Sequence, residues 1–159
     1  MKPLNKTNAL RILDKLKIPY EVTTYECEEF TDGLEVALTL GISPDLCFKT
    51  LVTTGKSGVH YVFVIPVNKD LDLKKAASAS GEKYIELLPL KDLEPLTGYI
   101  RGGCTAIGMK HRFPVFLDLS AQDLSKIYIS GGRRGLQVDL EPNLFLSAVQ
   151  GAYSDLCQQ

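Results

Sequence analysis

A glycine-rich run from Thr97 to Asp118, TGYIRGGCTAIGMKHRFPVFLD, is the feature that most limits how this chain can fold. It places three of the chain's thirteen glycines within seven positions, at Gly102, Gly103 and Gly108. A segment with so few side chains adds little to a hydrophobic core, and ordering its backbone has an entropic cost. We therefore expect a loop whose backbone amides face a ligand carbonyl or phosphate.

This run lacks both common nucleotide-binding fingerprints. The pattern GxxxxGK[ST] fails because Met109 and Lys110 follow Gly108, and GxGxxG does not fit either. Amides freed by glycine can still form an oxyanion site, where losing one donor typically costs about 3 kcal/mol of transition-state stabilisation. The alternative that stays open is a mobile surface loop.

Composition excludes several classes of protein. The chain has 159 residues, 45% hydrophobic and 23% charged, which is typical of one globular domain over residues 1–159. A formal net charge of −1 argues against a non-specific DNA coat, so nucleic-acid binding would depend on local basic clusters. We see no long apolar run and no basic-then-apolar leader, so we expect a cytoplasmic protein without a membrane span.

The cysteines and histidines do not form a metal-binding pattern. The four cysteines show no CxxC pair, and only two histidines, His60 and His111, are available as nitrogen ligands. We therefore expect no metal and no other cofactor. The shortage of histidine also argues against a Ser-His-Asp triad.

Apolar periodicity and turn residues predict about five helices and six or seven short strands. Helices are predicted over 7–17, 32–41, 71–79 and 90–96, with a last one from Pro142 that includes Ala152, Tyr153 and Leu156 in its apolar face. Strands are predicted over 19–25, 47–54, 59–67, 84–88, 114–119, 126–130 and 136–140. Strands and helices do not alternate strictly, which favours an α+β fold: a curved mixed sheet flanked by helices.

Lys49 is an unusual residue for its position. It lies in CFKTLVTT, at the start of a strand that otherwise reads as internal. Burying an ammonium group without a partner is costly, so two interpretations stay open. Its side chain either extends to water from an edge position, or points inward and binds a carbonyl, carboxylate or phosphate. Thr50 would then point to the opposite face of a regular strand.

A second glycine turn follows in IYISGGRRGLQVDL. Ser130 closes a strand just before Gly131, so its hydroxyl is positioned to reach a cleft shared with the first loop. Cys104, inside the first run, is a possible nucleophile, although a small buried space-filling role is more typical of cysteine.

Basic residues gather near both glycine loops. A charge cluster usually marks a solvated face, but beside such loops it also suits phosphate contacts. The candidates for contact with a nucleic-acid end are Lys110, His111, Arg112, Arg133 and Arg134.

Three motifs in this order, LGISPDLCFKTLV, TGYIRGGCTAIGMKH and ISGGRRGLQVDL, span most of the chain. In them the chain resembles the YbaK-type aminoacyl-tRNA deacylases, relatives of the editing domain inserted in bacterial prolyl-tRNA synthetases. The resemblance implies a pseudo-barrel of mixed strands and removal of a wrong amino acid, typically cysteine or alanine, from proline tRNA. Members most like this chain act on Cys-tRNA, which implies an aminoacylated tRNA 3′ end and prolyl-tRNA synthetase as partners, no DNA partner, and a monomer or homodimer.

The resemblance also implies roles for single residues. Lys49 matches the family's essential lysine, and Gly102 with Gly103 match the loop that holds the aminoacyl carbonyl. The substrate pocket is implied at Tyr25, Phe30, Thr50, Arg101, Cys104, Ser130, Gly131 and Gln137. In the family mechanism for cysteine, the substrate's own thiol attacks its ester carbonyl, so no protein nucleophile is required.

Three positions depart from the family pattern. Thr105-Ala106 replaces a common Ser-Pro, Lys110-His111 replaces a double lysine, and Gln137 replaces an often acidic residue. These departures concern substrate choice more than fold. Two alternatives stay open: a deacylase for Ala-tRNA or another small aminoacyl-tRNA, and a non-catalytic tRNA-binding or regulatory protein of this fold.

Overall fold

The computed structural model describes residues 5–27 and 29–159. Within these residues the helices are α1 (Asn8–Lys15), α2 (Gly33–Leu40), α3 (Leu73–Ser80), α4 (Leu93–Thr97) and α5 (Pro142–Val149). The strands are β1 (Glu21–Thr24), β2 (Phe48–Gly55), β3 (His60–Pro66), β4 (Ile85–Leu87), β5 (Val115–Asp118), β6 (Ile127–Ser130), β7 (Leu136–Leu140) and β8 (Ala152–Ser154). None of these helices is long and apolar enough to cross a membrane.

The strands form two sheets. One is antiparallel with the order β1-β7-β6, and the other is mixed with the order β4-β2-β3-β5-β8, in which β3–β5 and β5–β8 are parallel pairs. A parallel bridge between Cys47 and Tyr128 places the start of β2 beside β6. The α+β class and the mixed pairing are confirmed. The expected number of strands and sheets is wrong: instead of one sheet of six or seven strands, the described residues form eight strands in two sheets, which do not close into a barrel.

The extra strand comes from the C-terminal segment. A helix was predicted through Ala152 and beyond, but α5 ends at Val149 because Gln150 adopts a left-handed conformation with φ of +53°. Gly151 then packs against the Val115 carbonyl, where an added Cβ would lie 2.7 Å from the oxygen. Ala152 pairs with Phe116 in parallel, which overrides the helical spacing of the apolar residues.

Side-chain caps fix the helix starts that the sequence predicts. The Thr7 hydroxyl accepts from the Leu10 amide at the start of α1, and Asp32 does the same for α2. Asp72 caps α3 by accepting from two amides. Each cap satisfies donors that a helix leaves unpaired in its first turn.

The core has two main layers separated by the five-stranded sheet. Val62 and Val64 of β3 face the larger layer, which also contains residues of α1, of α5 and of both sheets. Phe63 and Ile65, which alternate with them, face the second layer under α3. Alternation therefore buries both faces of β3 and holds the neighbouring β2 firmly in register.

Candidate active site

Three polar residues predicted for the site lie in one row across adjacent strands. Cys47 pairs with Tyr128, and Lys49 and Ser130 follow two residues later on their strands, so their side chains share a face. Ser130 is paired in turn with Gln137 of β7. Lys49, Ser130 and Gln137 therefore lie side by side on the face opposite the larger core layer. Thr50 faces the other way, as expected from strand alternation.

Lys49 lies on a rigid strand and has no anionic partner in the described residues. It is half-buried and pairs in register with Ile65, which is fully buried. The ion pairs found among residues 5–27 and 29–159 are those of Lys6, Lys75 and Lys126. The Lys49 ammonium is thus available to an oxygen of a ligand.

Gln137 and Ser130 offer hydrogen-bonding groups to the same ligand. Gln137 is 7% exposed, and its Oε1 is the buried side-chain polar atom without a hydrogen-bond partner among the described residues. Leaving such an atom unsatisfied costs about 1–3 kcal/mol, so a ligand donor there would relieve the cost. The Ser130 hydroxyl accepts from the Gly132 amide at 3.1 Å, which leaves its own hydrogen free to donate.

The two glycine loops meet directly after Ser130. The Arg134 Nε donates to the Arg101 carbonyl at 2.8 Å. Gly103 faces the backbone of Arg133, and an added Cβ at Gly103 would lie 2.8 Å from the Arg133 Cα. Only a residue without a side chain allows the loops to approach this closely.

The amides of Gly102 and Gly103 differ in their hydrogen bonding. The Gly103 amide donates to the Ile100 carbonyl at 2.9 Å and closes a turn, so it does not face a ligand as predicted from the sequence. The Gly102 amide makes no hydrogen bond with the described residues, and its φ of +86° suits glycine. Gly102 is therefore the candidate oxyanion donor, while Gly103 permits the contact between loops.

Phe30 and two arginines form a flat surface beside the loops. The guanidinium carbon of Arg101 lies 3.7 Å from the centroid of the Phe30 ring, and that of Arg134 lies 5.9 Å away. Such cation–π stacking orients both guanidinium groups. A cavity of about 310 Å³ adjoins this surface, lined by Phe30, Leu90, Leu93, Glu94, Ile100, Arg101 and Arg134.

Four of those lining residues were missed from the sequence. Leu90, Leu93 and Glu94 belong to a segment that reads as a short helical turn without motif residues, and Ile100 lies inside the glycine-rich run but is not one of its glycine or charged residues. Only the structure reveals what sets them apart: Leu90 is 57% and Ile100 is 41% exposed although both side chains are apolar.

Internal bonds fix the far part of the glycine-rich run. The Tyr99 hydroxyl donates to the Ile107 carbonyl at 2.6 Å, and the Lys110 amide donates to the Thr97 carbonyl at 2.9 Å. The Thr105 hydroxyl, fully buried, accepts from the Ile107 amide at 3.3 Å. These bonds argue against the mobile-loop alternative, and they show Thr105 stabilising the turn.

Cys104 is suited to filling space rather than to catalysis. Burial raises the pKa of its thiol to about 12, so the thiol stays protonated at neutral pH, and a protonated thiol is a poor nucleophile. For the Cys-tRNA deacylation that the family resemblance implies, we expect Cys104→Ala to retain activity within about threefold, at a stability cost of about 1 kcal/mol for the lost volume. Steady-state kinetics measure this, and a loss of a hundredfold in kcat would show that the thiol takes part.

Tyr25, His111 and Arg112 fall in two places, whereas Lys110 donates to the Pro95 carbonyl and Arg133 to the Asn5 carbonyl. The Tyr25 amide donates to the Gly135 carbonyl at 2.9 Å, which holds Tyr25 at the second glycine loop, and burial raises the pKa of its hydroxyl. His111 and Arg112 instead line a separate cavity of about 390 Å³ between α1 and α5. The structure does not bring them to the cavity of Phe30. Among the described residues no group of three or more His, Cys, Asp or Glu side chains is placed to hold a metal ion.

A comparison with known proteins places this fold and site in a class. The family model described as "Aminoacyl-tRNA editing domain" matches residues 28–147. The chain belongs to the aminoacyl-tRNA editing domain family.

Particular relatives extend this result. The chain is 47% identical, over 98% of its length and 95% of the relative, to an Enterococcus faecalis protein named "Putative Cys-tRNA(Pro)/Cys-tRNA(Cys) deacylase EbsC". It is 29% identical to the Bacillus subtilis "Uncharacterized protein YwhH" over 77% of this chain and 76% of that protein. A crystal structure of "a putative trans-editing enzyme for prolyl tRNA synthetase" superposes with a TM-score of 0.81, covering 98% of this chain and 100% of the other at 22% identity.

Proposed function

We propose that this chain is a cytoplasmic, single-domain deacylase that removes cysteine from mischarged Cys-tRNA(Pro). The name of the 47% identical Enterococcus faecalis protein supports this substrate. The observation that carries most weight is the row of Lys49, Ser130 and Gln137, because it offers a free ammonium, a free hydroxyl hydrogen and an unpartnered amide oxygen. Prolyl-tRNA synthetase, named with the structural relative, is the proposed source of the mischarged tRNA.

Each part of an aminoacylated 3′ end has a matching group in the site. The terminal base stacks on Phe30 and Arg101, since base–aromatic stacking typically contributes about 1–3 kcal/mol for each base. The Gly102 amide faces the ester carbonyl, and Lys49 binds the charge near the ester or terminal phosphate. The substrate's α-ammonium donates to the Gln137 Oε1.

The proposed chemistry uses the substrate's own thiol as nucleophile. Its sulfur forms a bond to the ester carbonyl carbon, and the bond from that carbon to the ribose oxygen breaks. The proton lost from the thiol ends on the ribose hydroxyl, so the products are a four-membered cysteine thiolactone and free tRNA. An intramolecular attack of this kind gains from fixed orientation, and the site contributes by holding the reacting atoms.

A panel of charged tRNAs tests this proposal. Proline tRNA is charged with cysteine, serine or alanine, and the rate of loss of each amino acid is measured with and without the protein. We expect Cys-tRNA to be deacylated at least 100-fold faster than the other two, which lack the thiol. Equal rates for cysteine and alanine would indicate ordinary hydrolysis of small aminoacyl esters rather than attack by the substrate's thiol. Binding of tRNA without turnover would indicate a non-catalytic member of the family.

A further inference from the structure

A second cavity lies on the other side of the glycine-rich run and is not used by the proposed chemistry. It occupies about 390 Å³ between α1, residues 106–113 and α5. Its floor is apolar, and its rim carries Lys15, His111 and Arg112, with no acidic side chain among the lining residues. We call it the α1–α5 groove.

The charge at the rim is exposed and forms no ion pair with the described residues. Lys15 and Arg112 are absent from the ion pairs formed among the described residues. The nearby carboxylate of Asp14 already accepts from Lys6 and from the Tyr20 hydroxyl. Arg11 lies one turn before Lys15 on α1, and like charges at this spacing destabilise a helix, so the cations suit an external polyanion.

Helix α1 connects the groove to the candidate active site. The Thr7 hydroxyl, at the N-cap of α1, donates to the Gly131 carbonyl at 2.5 Å beside the second glycine loop. From there α1 runs eight residues to Lys15, a length of about 12 Å at the usual rise of a helix. That length corresponds to roughly three or four base pairs along the axis of a nucleic-acid duplex, at about 3.4 Å for each pair.

We infer that the α1–α5 groove binds the phosphate backbone of the tRNA a few nucleotides upstream of the acylated 3′ end. This inference rests on the proposed function, because it takes tRNA as the ligand of the neighbouring site. Lys15 and Arg112 contact phosphate oxygens, and Phe113, which the His111 ring approaches to 6.2 Å between centroids, lies in the floor of the groove. Such contacts position the strand without reading its sequence.

Salt-dependent binding of uncharged tRNA(Pro) tests the groove independently of catalysis. Dissociation constants are measured by fluorescence anisotropy from 50 to 300 mM salt, roughly the range in which counterion release dominates. For Lys15→Ala and for Arg112→Ala we expect the slope of log K against log salt to fall in magnitude by about 0.7–0.9, the loss of one phosphate contact. The matched control Lys83→Ala removes an exposed cation outside the groove and should keep the wild-type slope.

A short substrate separates the groove from the active site. A CCA trinucleotide carrying cysteine reaches the Lys49 row but not the groove, so both groove variants should cleave it at the wild-type rate. Wild-type slopes in both variants, or an equal loss with trinucleotide and full tRNA, would overturn the inference. A groove-dependent slope in a protein that leaves Cys-tRNA intact would support the groove and reject the proposed function.

Discussion

Replacing Lys49 with alanine is expected to lower kcat for deacylation of Cys-tRNA by about 100-fold, the effect typical of removing one preorganised electrostatic contact. Lys49 is half-buried and lies on β2, whose partner β3 is buried on both faces, so its position does not depend on a flexible loop. KM should change less than kcat if Lys49 acts mainly on charge that develops in the transition state.

Two variants make this result specific. Lys56→Ala removes an exposed lysine from the turn of the same hairpin and should leave kcat unchanged. Lys49→Arg keeps the charge but changes its geometry, and intermediate activity would separate charge from position. Thermal unfolding of each variant checks the fold. A Lys49→Ala protein that is folded and as fast as wild type would remove Lys49 from the mechanism.

Local sequence signals predicted most elements, because their physical causes are local. The caps at Thr7, Asp32 and Asp72 and the turn between β2 and β3 each depend on neighbouring residues, and the elements that they bound lie close to the predicted ranges. The C-terminal error has a non-local cause. Ala152 and Tyr153 fit a helical stripe, but pairing with β5, distant in sequence, converts them into β8.

The candidate site likewise combines features that the local sequence predicts with features that depend on contacts between distant segments. Chemical identity marked Lys49, Ser130 and both glycine loops in the sequence, since a lysine in an apolar strand and clustered glycines both need an explanation. The row that joins Lys49 to Ser130 depends on the bridge between Cys47 and Tyr128, which no local pattern reveals. The separation of Arg112 from the Phe30 cavity is likewise a property of the folded loop.

Gln137 is a candidate pocket residue whose environment only the structure reveals. In the sequence, the family resemblance implies a place for it in the substrate pocket and marks it as a departure from an often acidic position. In the structure its Oε1 is buried, unpartnered among the described residues, and in line with Ser130. A neutral amide accepts a hydrogen bond from an ammonium without an added negative charge beside the developing oxyanion, so the substitution is compatible with deacylation.

Gly103→Ala is expected to lower kcat by about 10- to 100-fold and to destabilise the protein by about 1–3 kcal/mol. The added Cβ would meet the Cα of Arg133 at 2.8 Å and its carbonyl carbon at 3.0 Å. Because these are backbone atoms, no side-chain rotation relieves the contact, and the loops must separate. Separation breaks the bond from Arg134 to the Arg101 carbonyl and displaces Gly102, which directly follows Arg101.

Gly58→Ala is the control that separates stability from activity. Gly58 has a φ of +90° in the β2–β3 turn and no atom within 4 Å of an added Cβ, so alanine there adds backbone strain without a clash. It should destabilise the protein by about 1 kcal/mol and leave kcat unchanged. Denaturant unfolding and Cys-tRNA kinetics on both variants give the comparison. If Gly103→Ala loses no more activity than Gly58→Ala at matched stability, close contact between the loops is not required for the reaction.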